Sequence, residues 1–389
     1  MSSPAASPSM VIHQLKNVVE NPELYRSHRH EITSLAHRVE TELQSPFDLF
    51  QGIIHTAMPL VAVRVCQQHR ILHIMQENVE KGHLATSTAS LAQDTGMNRQ
   101  GLETLLDFMA ARYLVDRISS NEFASNRLTR LLLTPLFIDG VLLYHDLFTP
   151  SFTALNSFLS SSRQRSTAFQ LAHNTSGGPY DMLHADPDIS KAFQNYIQLE
   201  HSHLPSWLNV VDFQREFAEN TFTDTVLFVD VGGGNGQQCV NLLTEHPTLK
   251  GRVILQDTPS VIQNALPESR VERMGYDYFT EQPVKGAKAY HFRQVFHNND
   301  DDACIRILEA LVPAMSSSST LLINENVLPD EEPSTEYRAS LSMTMMALFN
   351  TYERRERHWH QLLGKAGLTI KAIRRFSRHG DSILMAVKK

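Results

Sequence analysis

Cysteine, tryptophan and long apolar runs are all scarce in this 389-residue chain. Three cysteines, Cys66, Cys239 and Cys304, are too few and too widely spaced for a disulfide scaffold, and suit a reducing compartment. No apolar run approaches the ~20 residues that span a bilayer. The N-terminus, MSSPAASPSMVIHQLKN, lacks the basic-then-apolar order of a signal peptide, so a cytoplasmic address is expected, with no membrane partner. A net charge of −7 argues against general nucleic-acid binding. The nucleoside-triphosphate loop G-x-x-x-x-G-K-[ST] is missing. What is present is a 42% hydrophobic fraction, enough to bury real cores and to exclude disorder. At ~100–200 residues per domain the length implies two or three domains.

The first eight residues, rich in Ser, Ala and Pro, read as disordered. In HEITSLAHRVETELQ the apolar residues Ile32, Leu35, Ala36, Val39 and Leu43 mark one helical face, which Pro46 ends. From residue 47 to about 75 the chain is almost continuously apolar. Such a helix is buried, in its own domain or against a second subunit. Residues 89–94 and 98–111 predict two helices around a turn at Gly96, followed by two short strands: the order of a winged helix. Glu103 and Asp107 beside Arg99 give its second helix no basic face, so packing or dimerisation is expected there and DNA binding is not. Residues 136–215 read as helical and irregular, broken by Gly177, Gly178 and Pro179. From Val226 strands alternate with helices, and IKAIRRF…DSILMAVKK closes the chain as a hairpin. The expected fold is therefore α/β: a Rossmann-like, doubly wound domain over 136–389 behind a mainly helical winged-helix dimerisation domain over 1–135.

The strongest local signal is VLFVDVGGGNGQQC, in which a buried strand runs into Gly232, Gly233, Gly234 and Gly236 ahead of a helix. Ligands of doubly wound sheets bind at such strand ends. The third glycine of a dinucleotide fingerprint is Cys239 or Gln237, depending on where the pattern starts, so that fingerprint fails. Two acids stand there instead, Asp230 before the turn and Asp257 at the end of the next strand. Acids repel a pyrophosphate but suit a nucleoside that carries positive charge. S-adenosylmethionine, with an adenosine, a sulfonium, an ammonium and no phosphate, meets that description.

VDVGGGNG, RVILQDTPSVI, GYDYF, FRQVFHNNDDDACIRIL, LLINENVLPDE and ERRERHWHQLLGKAGL then occur in the order found in class I O-methyltransferases. The chain resembles the plant caffeate and flavonoid type and its fungal secondary-metabolite relatives from about residue 45 to the end. The resemblance implies a homodimer joined through the N-terminal domain. It also implies S-adenosylmethionine bound by Asp230, Gly232, Gly233, Gly234 and Asp257, with Asp277 and Tyr278 flanking the adenine. Arg293 stands where the plant enzymes have a lysine near the cofactor.

His297 follows a predicted strand at the ligand-binding edge, where a neutral imidazole suits removal of a hydroxyl proton. The resemblance makes it the general base, with Glu325 and Glu353 as the carboxylates that orient it. The family commonly reads His-Asp-Trp, whereas this chain reads His297-Asn298-Asn299. The acid run at 300–302 favours a helix N-terminus over a metal site, and no metal is expected. Met345, Met346 and Asn350, on a helix before Glu353, and His145 and Phe148 are candidate substrate contacts. The expected function is O-methylation of a small aromatic or polyketide-type hydroxyl. The alternative is a pericyclase that binds S-adenosylmethionine on the same scaffold without methyl transfer.

Overall fold

The computed structural model of the chain describes residues 7–160, 166–202 and 204–389. Of the N-terminal stretch expected to be disordered, residues 1–6 lie outside that description, while Ser7 caps a helix, Pro8–Glu20, by accepting from the Met10 N–H. The chain divides into two compact units, Met1–Val61 and Ala62–Lys389. The expected boundary near 135 falls inside the second, at the start of helix Pro135–Leu142.

In the first unit the helices Pro8–Glu20, Arg29–Leu43 and Pro46–Ile54 bury none of their residues. Leu15, Val19, Leu35, Val39, Leu43, Phe47, Phe50 and Ile53 are all exposed. Of the two expected covers for the stretch from residue 47, its own domain does not supply one before Ala62. Only from Ala62 onward does that stretch enter a core, through Ala62, Val63, Cys66, Ile71, Leu72 and Met75. The expectation about membrane spans is corrected. Pro46–Gln68 is long and apolar enough to cross a bilayer by length and composition. A turn at residues 55–57 interrupts it.

The second unit begins with a small helical core. Helices Thr88–Thr95 and Arg99–Ala111 meet at Gly96, whose φ of 71° ends the first helix in the left-handed region. The two short strands expected after the helices are β2 (Asp116–Arg117) and β3 (Glu122–Ala124); a third that was not expected, β1 (Thr86–Ser87), precedes the helices, and the three pair antiparallel as β1-β3-β2. Further on, helix Pro135–Leu142 passes into a π-helical stretch, Leu143–Phe148, and then into helix Thr149–Ser160.

The main sheet has seven strands: β4 (Val226–Val231), β5 (Arg252–Asp257), β6 (Val271–Gly275), β7 (Ala289–Arg293), β8 (Thr320–Asn326), β9 (Leu368–Arg375) and β10 (Asp381–Lys388). Their order is β6-β5-β4-β7-β8-β10-β9, parallel up to β8, with β10 antiparallel to both β8 and β9. Alternate residues of the central strands face opposite layers, as a period of two requires. Val229, Val231, Tyr290, Phe292, Leu321 and Ile323 pack on one side with Ile307, Leu308, Leu311 and Trp359. Phe228, Val253, Leu255, Ala289 and Leu322 pack on the other with Trp207, Phe213, Leu242 and Leu243, joined by Leu227 where the register of β4 shifts. Both faces are thus covered, and the carboxyl ends of β4, β5, β7 and β8 gather the polar residues of the candidate site.

Candidate active site

Gly232, at the end of β4, has a φ of 66°, and a Cβ there would stand 2.9 Å from Cγ2 of Val295. Gly234 has a φ of 60°, and a Cβ on it would meet no protein atom within 4 Å. The first glycine is required by the protein, and the second leaves a face of backbone open to a ligand. Asp257 braces the turn: one carboxylate oxygen accepts from the Gly234 N–H at 2.8 Å and the other from its neighbour Thr258 at 2.7 Å. Burial raises its pKa above the ordinary carboxylate range, against the pull of these two bonds. Each oxygen keeps a lone pair, as a ribose hydroxyl needs. Tyr278 lies against the turn, within 3.7 Å of where a Gly232 Cβ would sit, and Asp277 is exposed beside it.

Asp230 does not face this cleft. It is fully buried beneath the turn, accepting from Nδ1 of an equally buried His291 at 2.8 Å, with the Cys239 thiol 3.8 Å from its other oxygen. Trp207 stacks on the imidazole at 5.3 Å. The expected direct contact between Asp230 and a cofactor is therefore replaced by support of the loop from below.

His297 sits in a short 3₁₀ turn, Phe296–Asn298, just past β7, and is 7% exposed. Its Nδ1 lies 2.8 Å from Oε1 of Glu353 and 3.8 Å from Oε2 of Glu325. Glu325 comes from the buried strand β8 and accepts from the Phe296 N–H at 2.9 Å through its other oxygen; Oε2 has no hydrogen-bond partner. Burial by itself would lower the imidazole pKa, but the two carboxylates outweigh it and raise it to about 9. Burial raises Glu325 in turn, and the neighbouring imidazole holds it back. Ligand atoms of these three side chains lie within 4.8 Å of one another, a spacing that a metal ion could use. Two of the three, His297 and Glu353, are joined by the 2.8 Å hydrogen bond.

Arg354, adjacent to Glu353, clamps the turn by donating to the Phe296 carbonyl at 2.8 Å and the Asn299 carbonyl at 2.7 Å. Thr351 donates to the carbonyl of His297 itself. Asp300 caps helix Asp301–Leu311 by accepting from the Ala303 N–H, and Asp301 pairs with Arg354 and His358. The acid run is thus committed to the helix start and to ion pairs. Sequence reasoning missed Arg354, which reads there as one arginine of a charged run.

Arg293 ends β7. Burial lowers its pKa, while Asp381, Asp230 and Glu200 act in the opposite sense. The candidate substrate contacts separate. Phe148 packs with Leu183, Leu348 and Phe349, and Met346 packs beside Phe158 and Ala347. Met345 is buried, and Asn350 ends helix Glu336–Phe349 with a φ of 56°. His145 instead pairs with Asp146 at 2.6 Å, and Asp146 is held by Arg64. Tyr180, on helix Pro179–Ala185, escaped the sequence reading; its hydroxyl accepts from Asn298 at 3.0 Å across 118 residues.

A glycine turn open at Gly234, a bracing acid with lone pairs to spare and the exposed Asp277 beside it fit an adenosine carrying positive charge. Together with the sheet order, this defines a nucleoside-cofactor transferase that works with S-adenosylmethionine. Residues 152–369 match the O-methyltransferase domain family. The O-methyltransferase ucdC of Aspergillus ustus is 32% identical over 85% of this chain and 87% of its own. The 16-O-methyltransferase bsc6 of Alternaria brassicicola is 31% identical over 90% and 88%. The chain belongs to the O-methyltransferase family. Among solved structures, LepI in complex with S-adenosylmethionine is 26% identical with a TM-score of 0.87, covering 98% of this chain and 100% of that one. Another structure matching equally well is described as a pericyclic reaction enzyme. OxaC bound to oxaline shares the fold at 20% identity and a TM-score of 0.84, over 99% and 100%.

Proposed function

We propose that this chain methylates a hydroxyl of a small aromatic or polyketide-type secondary metabolite, with His297 as general base. The observation that carries the reading is the buried His297–Glu353 hydrogen bond of 2.8 Å beside Glu325, at the same sheet edge as the glycine turn. Glu353 accepts from Nδ1, which leaves Nε2 as the nitrogen that takes the hydroxyl proton. The imidazolium so formed is stabilised by two carboxylates, and loses its proton again before the next turnover. When bound, the cofactor supplies an electrophilic methyl on sulfur, which the attacking oxygen accepts as the carbon–sulfur bond breaks. Asp257 and the turn at Gly232 and Gly234 would hold its nucleoside end, with Tyr278 and Asp277 at the adenine. The residues around Phe148, Phe349 and Met346 form the aromatic side of the acceptor pocket.

A raised imidazole pKa also supports a second reading, in which a cationic His297 donates a hydrogen bond to a substrate that rearranges without methyl transfer. Incubation with isotopically labelled cofactor and a panel of phenols and hydroxypyridones separates the two. Methylated product should appear in step with S-adenosylhomocysteine. An isomer of unchanged mass, with the cofactor recovered intact, would establish the second reading.

The exposed apolar faces of residues 8–61 support a homodimer formed through the N-terminal region.

A further inference from the structure

Tyr180 stands where the cofactor side and the base side of the cleft meet. Tyr278 and Asp257, of the glycine-turn region, and Glu325, of the histidine cluster, all bear electrostatically on its hydroxyl. Its ring stacks on Phe349 at 5.6 Å and takes the edge of Phe193 at 6.2 Å, while 41% of the residue stays open to solvent. The hydrogen bond to Asn298 has a direction. The amide Nδ2 can only donate, and it gives one hydrogen to the Gln294 carbonyl at 2.9 Å and one to the Tyr180 oxygen at 3.0 Å. The tyrosine oxygen is therefore an acceptor in this pair. Among the described residues its own hydrogen has no acceptor. Asn298 directly follows His297, so the residue that holds this hydroxyl belongs to the same short turn as the imidazole.

We propose that the Tyr180 hydroxyl is a substrate-binding donor that recognises a carbonyl oxygen next to the hydroxyl presented to His297. The substrate class follows: ortho-hydroxy carbonyl aromatics, enolised β-dicarbonyls and their hydroxypyridone equivalents. Such a molecule offers one oxygen that loses a proton and a neighbouring one that accepts a hydrogen bond, matching a base and a donor side by side. Crowding in the cleft and the surrounding acids raise the tyrosine pKa, so the hydroxyl keeps its hydrogen at any working pH. Phe349 and Phe193 supply the flat walls for a conjugated ring. This inference rests on the reading of His297 as the base.

The test uses the full chain saturated with S-adenosylhomocysteine and two isomeric fluorescent probes, 3-hydroxyflavone and 7-hydroxyflavone. Only the first has a carbonyl beside its hydroxyl. It should bind about 10-fold more tightly, the worth of one good hydrogen bond. A donor on its carbonyl should also weaken the long-wavelength band that comes from internal proton transfer. Tyr180→Phe keeps the ring, and should erase the preference and restore that band. Asn298→Ala, with S-adenosylhomocysteine affinity checked by calorimetry, should reduce the preference by a lesser factor, since the hydroxyl is then no longer oriented. Equal affinity of the isomers for the unaltered chain, an unchanged preference in Tyr180→Phe, or failure of both probes to bind would overturn the proposal. Methyl transfer is read separately, as S-adenosylhomocysteine formed from S-adenosylmethionine. Its absence, with the flavone preference intact, would fault the base reading and leave the recognition standing.

Discussion

Nδ1 of His291 stands 2.8 Å from Oδ1 of Asp230, and neither side chain reaches solvent. The pair joins β7 to β4 directly below the glycine turn. His291→Phe would leave a buried carboxylate without its donor, at a cost of roughly 1–3 kcal/mol. Thermal unfolding should begin several degrees lower, and affinity for S-adenosylmethionine should fall with it as the turn loosens. Calorimetry on the variant checks both, and unchanged values would show that the pair does not support the loop.

At His297 the chemical step is isolated. His297→Ala should lower turnover by roughly 10²–10⁴-fold, the range of a positioned general base. Cofactor affinity should stay close to that of the parent if, as proposed, the imidazole serves the acceptor hydroxyl. Single-turnover rates together with a binding isotherm distinguish this outcome from a general loss of structure.

The pH profile carries a sign. An imidazole raised to about 9 is protonated at neutral pH, so kcat/KM should climb with pH and level off only near that value. Glu353→Gln removes one of the carboxylates that hold the proton. The rising limb should then move to lower pH, with a lower plateau because the imidazolium formed in the reaction is less stabilised. A limb that stays in place would mean that a different group sets the profile.

Asp257 accepts from the Gly234 N–H, and in the proposed reading it also holds the cofactor's hydroxyls. Asp257→Ala should weaken S-adenosylmethionine binding ~10–100-fold, as expected for losing charged hydrogen bonds. Titration calorimetry reads this directly.

A proton in the His297–Glu353–Glu325 cluster predicts indifference to chelators. Activity after exhaustive dialysis against EDTA should match that of untreated protein. A loss restored by added zinc or magnesium would put a metal ion there instead.

Residues 8–61 should bury their apolar faces against a second copy. Sedimentation at micromolar concentration should give a dimer. Glutamate at Phe50 and Ile53 should shift it toward monomer. A monomeric parent chain would end this proposal.

Much of the sheet was legible because β4, β5, β7 and β8 are apolar runs buried on both faces, and such runs announce themselves. Strand β6, Val271–Gly275, was not foreseen. It lies at the sheet edge, carries Glu272 and Arg273, and has no apolar pattern to read. At the site, His297, Glu325 and Glu353 were found through resemblance, and their convergence needed the fold. The burial of Asp230 was hidden because its partner His291 lies 61 residues away and looks like any strand residue. Tyr180 left no local signal, since its role comes from a contact made across the fold. For Phe47, Phe50 and Ile53 the pattern left the cover open, because an apolar helix reads the same whether its cover is its own domain or another molecule; here its own domain leaves them exposed.

The clamp of Arg354 and Thr351 on the turn that carries His297 has a consequence for how the enzyme breathes. One short segment, residues 351–354, holds the turn of His297 at three carbonyls and also presents Glu353 to the imidazole. Base and carboxylate therefore move together or not at all, and amide hydrogens of this wall should exchange slowly with deuterium. Motion that admits and releases ligands should then fall to short helices such as Ala168–His173 and Pro179–Ala185, whose amides are expected to exchange faster. A catalyst built this way separates its rigid chemistry from its mobile recognition. The rate of exchanging product for substrate becomes a property of the aromatic side, free to vary without disturbing the proton transfer.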